Sequence, residues 1–237
     1  MKTLPFLALL ALILSLQPAF AHRAIVEAKE QSVLSSELAA KIIKLPFRNG
    51  ESFQKESVLI EYDCTLIKTQ KEKIDVELVG LKQKADAYDR MVKLHSMSEL
   101  DAVIARSEVR KKEAELKMAT ITVSKCQVKA PYAGKVLKTL VHEYEYVGEQ
   151  KELIQIVGTQ NLDLNVLVPA SLIASLKEGQ GVSFIADDIK FLAEGVIVGI
   201  DPAADPVSQT IHIRVKLIRF DEHIIPGIVG DAKFGVL

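Results

Sequence analysis

Residues 126–157, CQVKAPYAGKVLKTLVHEYEYVGEQKELIQIV, decide the fold because residues 33–63, VLSSELAAKIIKLPFRNGESFQKESVLIEYD, follow the same plan. Each run has a strand, a small-residue turn, an apolar strand, a polar turn containing glycine (Gly50, Gly148) and a last apolar strand. A few short strands without a facing sheet are marginal in water, so neither run can bury its apolar side alone. The two halves are expected to pack on each other. The segment between them must then leave and return at one place, and an antiparallel helical hairpin does this.

The intervening segment has the required pattern. From Thr65 to Leu94 the apolar positions Ile67, Ile74, Leu78, Leu81, Ala85, Tyr88 and Val92 step by sevens, fours and threes, the signature of a heptad seam. The return from Ser98 to Ser124 repeats it with Ala102, Ala105, Val109, Leu116, Ala119 and Val123, and Lys112 takes one seam place. Lys, Glu and Asp fill the other faces, which predicts a solvated coiled coil. Helices of about 27 to 30 residues at 1.5 Å rise would project roughly 40 Å. Gly80 costs about 1 kcal/mol relative to Ala inside the first helix. Ser98, with Asp101 three residues on, has the spacing of an N-cap and leaves a tight turn over His95, Ser96 and Met97.

The N-terminus reads as a secretory signal peptide over residues 1–21. Lys2 supplies the positive region, Leu4 to Leu16 is almost wholly apolar, and Ala19-Phe20-Ala21 fits the cleavage rule. The apolar run is short of the roughly 20 residues that span a bilayer, which favours cleavage before His22 over a retained anchor. About 215 residues would remain, enough for one large or two small domains. The only cysteines, Cys64 and Cys126, flank the hairpin where it joins the two halves. An even count in an exported chain favours a disulfide, and two buried free thiols are the alternative.

From Asn161 the period becomes strict alternation, with Leu162, Leu164, Val166 and Val168 on one face. A short helix from Pro169 to Leu176 ends at Glu178-Gly179. Further strands are expected at Val182 to Ala186, Ala193 to Ile200, Thr210 to Leu217 and Asp231 to Val236. Short strands joined by polar turns suggest a small closed or nearly closed antiparallel β-barrel.

Three stretches carry a family resemblance: KAPYAGKV (129–136), DPVSQTIHIRV from Asp205, and IPGIVGDAKF (225–234). With them, and over nearly the whole mature chain, the sequence resembles the periplasmic adaptor, or membrane fusion, proteins of bacterial efflux and type I secretion systems. The fold this implies is mainly β with an α-helical coiled-coil hairpin: a split lipoyl-like (barrel-sandwich hybrid) domain followed by a small antiparallel β-barrel. The corresponding boundaries are 22–63 for the first lipoyl half and N-terminal strand, 64–125 for the hairpin, 126–158 for the second half and 159–237 for the barrel. The resemblance also implies that Arg90, Leu94 and Ser98, in RMVKLHSMS at the tip, engage an outer-membrane channel. The interval from Leu94 to Ser98 is shorter than in drug-efflux adaptors. On the residues alone, Arg90 is equally a solvated helix charge and Ser98 a cap. A further membrane-proximal domain found in many adaptors is not expected from the residues present.

Other functions have little support. A formal net charge of -1 with 5% aromatic residues and no Trp gives no nucleic-acid signature. Lipoyl and biotin domains carry their cofactor on a Lys in the turn that the hairpin here replaces, so no cofactor is expected. His142-Glu143-Tyr144-Glu145 lacks the second His of a zinc motif, and the remaining histidines show no ligand spacing. The resulting expectation is a non-enzymatic periplasmic adaptor, held at the inner membrane through its partners. Those partners would be an inner-membrane transporter of the resistance-nodulation-division (RND) or ABC type, an outer-membrane channel, and further copies of itself as a trimer or hexamer. The alternative is a periplasmic ligand- or metal-binding module that delivers cargo to a pump.

Overall fold

A computed structural model describes residues 21–235. The signal-peptide reading therefore lies, but for Ala21, outside the described residues. In chain order the elements are β1 (His22–Ala28), β2 (Gln31–Ser35), β3 (Ala40–Lys44), β4 (Ser52–Phe53), β5 (Val58–Tyr62), α1 (Thr65–Lys93) and α2 (Glu99–Ser124). They continue with β6 (Gln127–Lys129), β7 (Gly134–Thr139), β8 (Tyr146–Val147), β9 (Glu152–Gly158), β10 (Leu162–Pro169), a 3-10 turn (Ala170–Ser175), β11 (Gly181–Ala186), β12 (Leu192–Ile200), β13 (Thr210–Arg219) and β14 (Val229–Phe234). Two compact units result, one of residues 31–157 and one built from both flanking parts of the chain.

In the first unit, two four-stranded sheets, β2-β9-β7-β4 and β6-β5-β3-β8, share one apolar core that includes Ile42, Leu59, Ile60, Ile154 and Ile156. The repeat read from the sequence is a residue-for-residue relation at one constant offset. Ser52 pairs with Lys135 and Phe53 with Gly134; in the other half Tyr146 pairs with Lys41 and Val147 with Ala40. The Gly50 N–H donates to the Val136 carbonyl, and the Tyr144 N–H to the Ile42 carbonyl. Side chains obey the same rule: the Arg48 N–H donates to Glu51 Oε2 and the His142 N–H to Glu145 Oε2, each at 2.9 Å.

This relation corrects one detail. Gly148 is not the counterpart of Gly50: the left-handed positions are Gly50 (φ 86°) with Tyr144 (φ 68°), and Glu56 (φ 66°) with Gln150 (φ 64°). Gly134 opens β7 opposite Phe53. The symmetry is broken where size demands it. Tyr62 is buried, and its hydroxyl meets Ser36 Oγ at 2.8 Å, while the counterpart of Ser36 is the apolar Ala130.

The second unit is a closed six-stranded barrel in the order β1-β10-β13-β12-β11-β14. Alternate residues such as Leu164, Val166, Ile213 and Phe184 fill it. The barrel takes β1 as well as the strands after residue 159. Without β1, strands β10 and β14 would each present an unpaired edge; β1 pairs with both and turns Ala24 and Val26 inward. The expected short helix is the 3-10 turn. Gly227, at φ 94°, makes the turn that follows Pro226.

Candidate functional site

Helices α1 and α2 are joined by a turn over residues 94–98. Every seam position named from the sequence is buried or half-buried, including Lys112. Small residues at the turn end, with Ala85, Ala102 and Ala105 all buried, let the helices approach closely there. Ion pairs cross between the helices: Lys82 with Glu113 at 2.8 Å, Lys84 with Glu108 at 3.1 Å, and Arg106 with Asp89 at 2.7 Å. Lys112, with a side chain 20% exposed, binds Glu77 at 2.9 Å and Glu115 at 2.8 Å. Its hydrogen bond holds the Glu77 carboxyl below the usual carboxylate range.

At the tip, α1 ends in a Schellman arrangement. The Ser96 N–H donates to the Met91 carbonyl and the His95 N–H to the Val92 carbonyl, each at 2.9 Å, with His95 left-handed at φ 55°. Glycine usually takes this place, so His95 carries strain of about 1 kcal/mol. Ser98 Oγ accepts the Leu100 N–H at 3.2 Å and so caps α2. Arg90 lies on the last turn of α1, exposed, and Leu94 is 73% exposed. The turn thus gathers Arg90, Leu94 and Ser98 at one end of the helix pair, with the Ser98 hydroxyl already engaged locally.

At the opposite end Cys64 and Cys126 are joined by a disulfide, Cα–Cα 6.0 Å, with both residues buried. Cys64 stands at the N-cap of α1 and makes no side-chain cap bond. Asp63 supplies the cap instead: its Oδ1 accepts the Thr65 hydroxyl at 2.8 Å and the Thr65 N–H at 3.2 Å, which lowers its pKa. The sequence reading missed this role, although an acid two residues before Thr65 is a usable helix-start signal.

On the barrel, Glu27 Oε1 accepts from Asn165 Nδ2 at 3.2 Å, and Asn165 Oδ1 meets His212 Nδ1 at 2.8 Å, a surface polar chain. Among the described residues no group of three or more His, Cys, Asp or Glu could hold a metal ion, and no helix is long and apolar enough to cross a membrane.

No family model matches the chain. It is 23% identical over 234 residues to the multidrug resistance protein MdtA of Photorhabdus laumondii, covering 89% of this chain and 58% of that protein. The chain thus spans under two thirds of the relative's length. Among solved structures, a MacA-MexA chimera carrying the Pseudomonas aeruginosa MexA α-hairpin domain superposes with a TM-score of 0.78 at 18% identity, covering 92% of this chain and 79% of that one. The membrane fusion protein Spr0693 of Streptococcus pneumoniae superposes at 0.73 and 15% identity, covering 92% and 99%. In sequence and in fold alike, the chain is similar to the membrane fusion, or periplasmic adaptor, proteins.

Proposed function

We propose that this chain is a non-enzymatic periplasmic adaptor of a tripartite efflux or secretion system. The observation that carries the reading is a long helix pair inserted between two symmetry-related halves of a sandwich and tied at its root by the Cys64–Cys126 bond. A 29-residue helix spans about 43 Å, far more than the stability of a small sandwich needs, so the projection is read as a reach toward a partner. In this reading the sandwich is lipoyl-like, the helices form a coiled-coil hairpin, and Arg90, Leu94 and Ser98 at its tip dock on an outer-membrane channel. The barrel and sandwich engage an inner-membrane transporter of the RND or ABC type, and the chain works as a homo-oligomer in the periplasm after loss of residues 1–21. The buried disulfide accords with an oxidising compartment.

In-cell photo-crosslinking from His95, with the cysteines intact, tests the bridging role. Capture of an outer-membrane channel, lost in Arg90→Asp, is the expected result. Folded, abundant protein that captures only soluble cargo would overturn it in favour of a cargo-binding module.

A further inference from the structure

The two sheets of the sandwich do not join along one side. Strand β2 ends one sheet and β6 ends the other, and among the described residues no hydrogen bond links them. The offset that relates the two halves makes these strands counterparts, Val33 with Gln127, Leu34 with Val128 and Ser35 with Lys129. All six residues line one groove of about 510 Å³, closed at one end by Ile121 and Ser124 of α2.

The ladders show which backbone groups face this groove. The Gly158 N–H donates to the Glu30 carbonyl and the Ser36 N–H to the Lys151 carbonyl. Along β2 the even residues therefore bond to β9, and Val33 and Ser35 turn their N–H and C=O groups the other way. On β6 the Cys126 carbonyl accepts the Tyr62 N–H, and the Ala130 N–H donates to the Ser57 carbonyl, so Gln127 and Lys129 turn theirs away from β5. Two rows of alternating donors and acceptors thus border one groove. A free edge is ordinarily guarded by charge, by proline or by being very short. Strands β4 and β8 are two residues long, and β6 is three with a lysine at its end. By contrast β2, QSVLS, is five residues long with no charge and no proline, and its Val33 is 46% exposed.

The groups present specify the occupant. A row of backbone donors and acceptors is matched by another extended backbone. Side chains on alternate positions of an added strand would meet Leu34 and Val128, which are half-buried against the sandwich core, so these positions call for apolar residues. The positions between them stand beside Lys129, and Lys125 and Lys129 face the groove against the one carboxylate of Glu37, which favours acid there. A second copy of this chain offers no such strand: its own β2 and β6 lie in the same walled groove, its β4 and β8 are two residues long, and its barrel is closed.

We infer that the groove between β2 and β6 binds an extended segment of a partner protein, apolar on one side and acidic on the other, as an added strand on β2. The contact lies on the sandwich and is independent of docking at the helix tip.

The test uses the full mature chain and a peptide of alternating Val and Glu, about seven residues long and blocked at both ends. Saturable binding is expected in calorimetry, with hydrogen exchange slowed at the amides of Val33, Ser35, Gln127 and Lys129. N-methylation of alternate peptide residues should abolish binding in one of its two registers, because it removes the donors. Val33→Pro takes away an N–H that makes no bond within the chain, a place where an edge strand tolerates proline; it should abolish binding and leave thermal unfolding unchanged. Lys129→Glu should weaken the Val/Glu peptide about tenfold, and a Val/Lys peptide should bind this variant more tightly than the wild type. Lack of binding to the wild type, protection confined to other amides, or a Val33→Pro chain that binds like wild type would each overturn the site. Protection of Val33 that rises with protein concentration without peptide would assign the edge to a second copy and overturn it equally. Failure here leaves channel capture from His95 unaffected, and failure of that capture leaves this groove standing.

Discussion

Removing the Cys64–Cys126 bond should lower the stability of the sandwich and helix pair by about 4 kcal/mol. The two residues are 62 apart in sequence, and loop-closure entropy for a crosslink of that span gives a value of this size at 25 °C. Both sulfurs are buried, so the suitable perturbation is Cys64→Ala with Cys126→Ala, since serine would leave two buried hydroxyls without partners. For a unit of this size each kcal/mol is worth about 4 °C, so the midpoint should fall by roughly 15 °C. Differential scanning calorimetry of the oxidised wild type, the double variant, and wild type reduced and alkylated at equal concentration measures it. The loss should also have an address. Hydrogen exchange should quicken first in the opening turn of α1, where the Lys68 N–H donates to the Cys64 carbonyl, and in the turn after α2, where the Cys126 N–H donates to the Val123 carbonyl. A midpoint unchanged within about 2 °C, with exchange at these amides unaltered, would refute the view that the bond restrains the unfolded chain and fastens the helices at their root.

The lowered pKa of Asp63, due first to its hydrogen bonds with Thr65, makes it stabilising above its unfolded pKa and lost as pH falls through the folded value. The wild type should therefore melt above Asp63→Asn at pH 7, and the two should converge as pH drops below about 4, as followed by circular dichroism. Lys112→Leu places an apolar side chain at a seam position and returns Glu77 and Glu115 to water; a rise of a few degrees in the helix pair's melting temperature is expected. Gly230→Ala should cost the barrel about 3 kcal/mol in a urea titration, because the added Cβ would be driven into the Ile185 carbonyl and against the Phe184 ring.

Much of this architecture is legible in the chain. The repeated half-motif fixes two facing sheets, because each half is too small to be stable alone. The heptad positions fix which sides of α1 and α2 meet, since 3.5-residue periodicity and burial are the same fact seen twice. The positions of Cys64 and Cys126 already mark the root of the inserted helices. The turn signals are less reliable: Gly148 resembles Gly50 in identity, yet Tyr144 holds the equivalent left-handed place, because the offset set by strand pairing overrides the local preference for glycine.

What only the tertiary structure decides are relations between distant segments. Nothing in HRAIVEA says that it closes a barrel with strands some 140 and 205 residues later; the need to satisfy the edges of β10 and β14 does. The heptad pattern shows that Lys112 interrupts a seam but not that Glu77, from the other helix, meets its ammonium group. Gly80 is a local cost in the sequence. Only with the helices in place is it seen that a Cβ added there would meet nothing within 4 Å, so that the chain's own packing does not require this glycine.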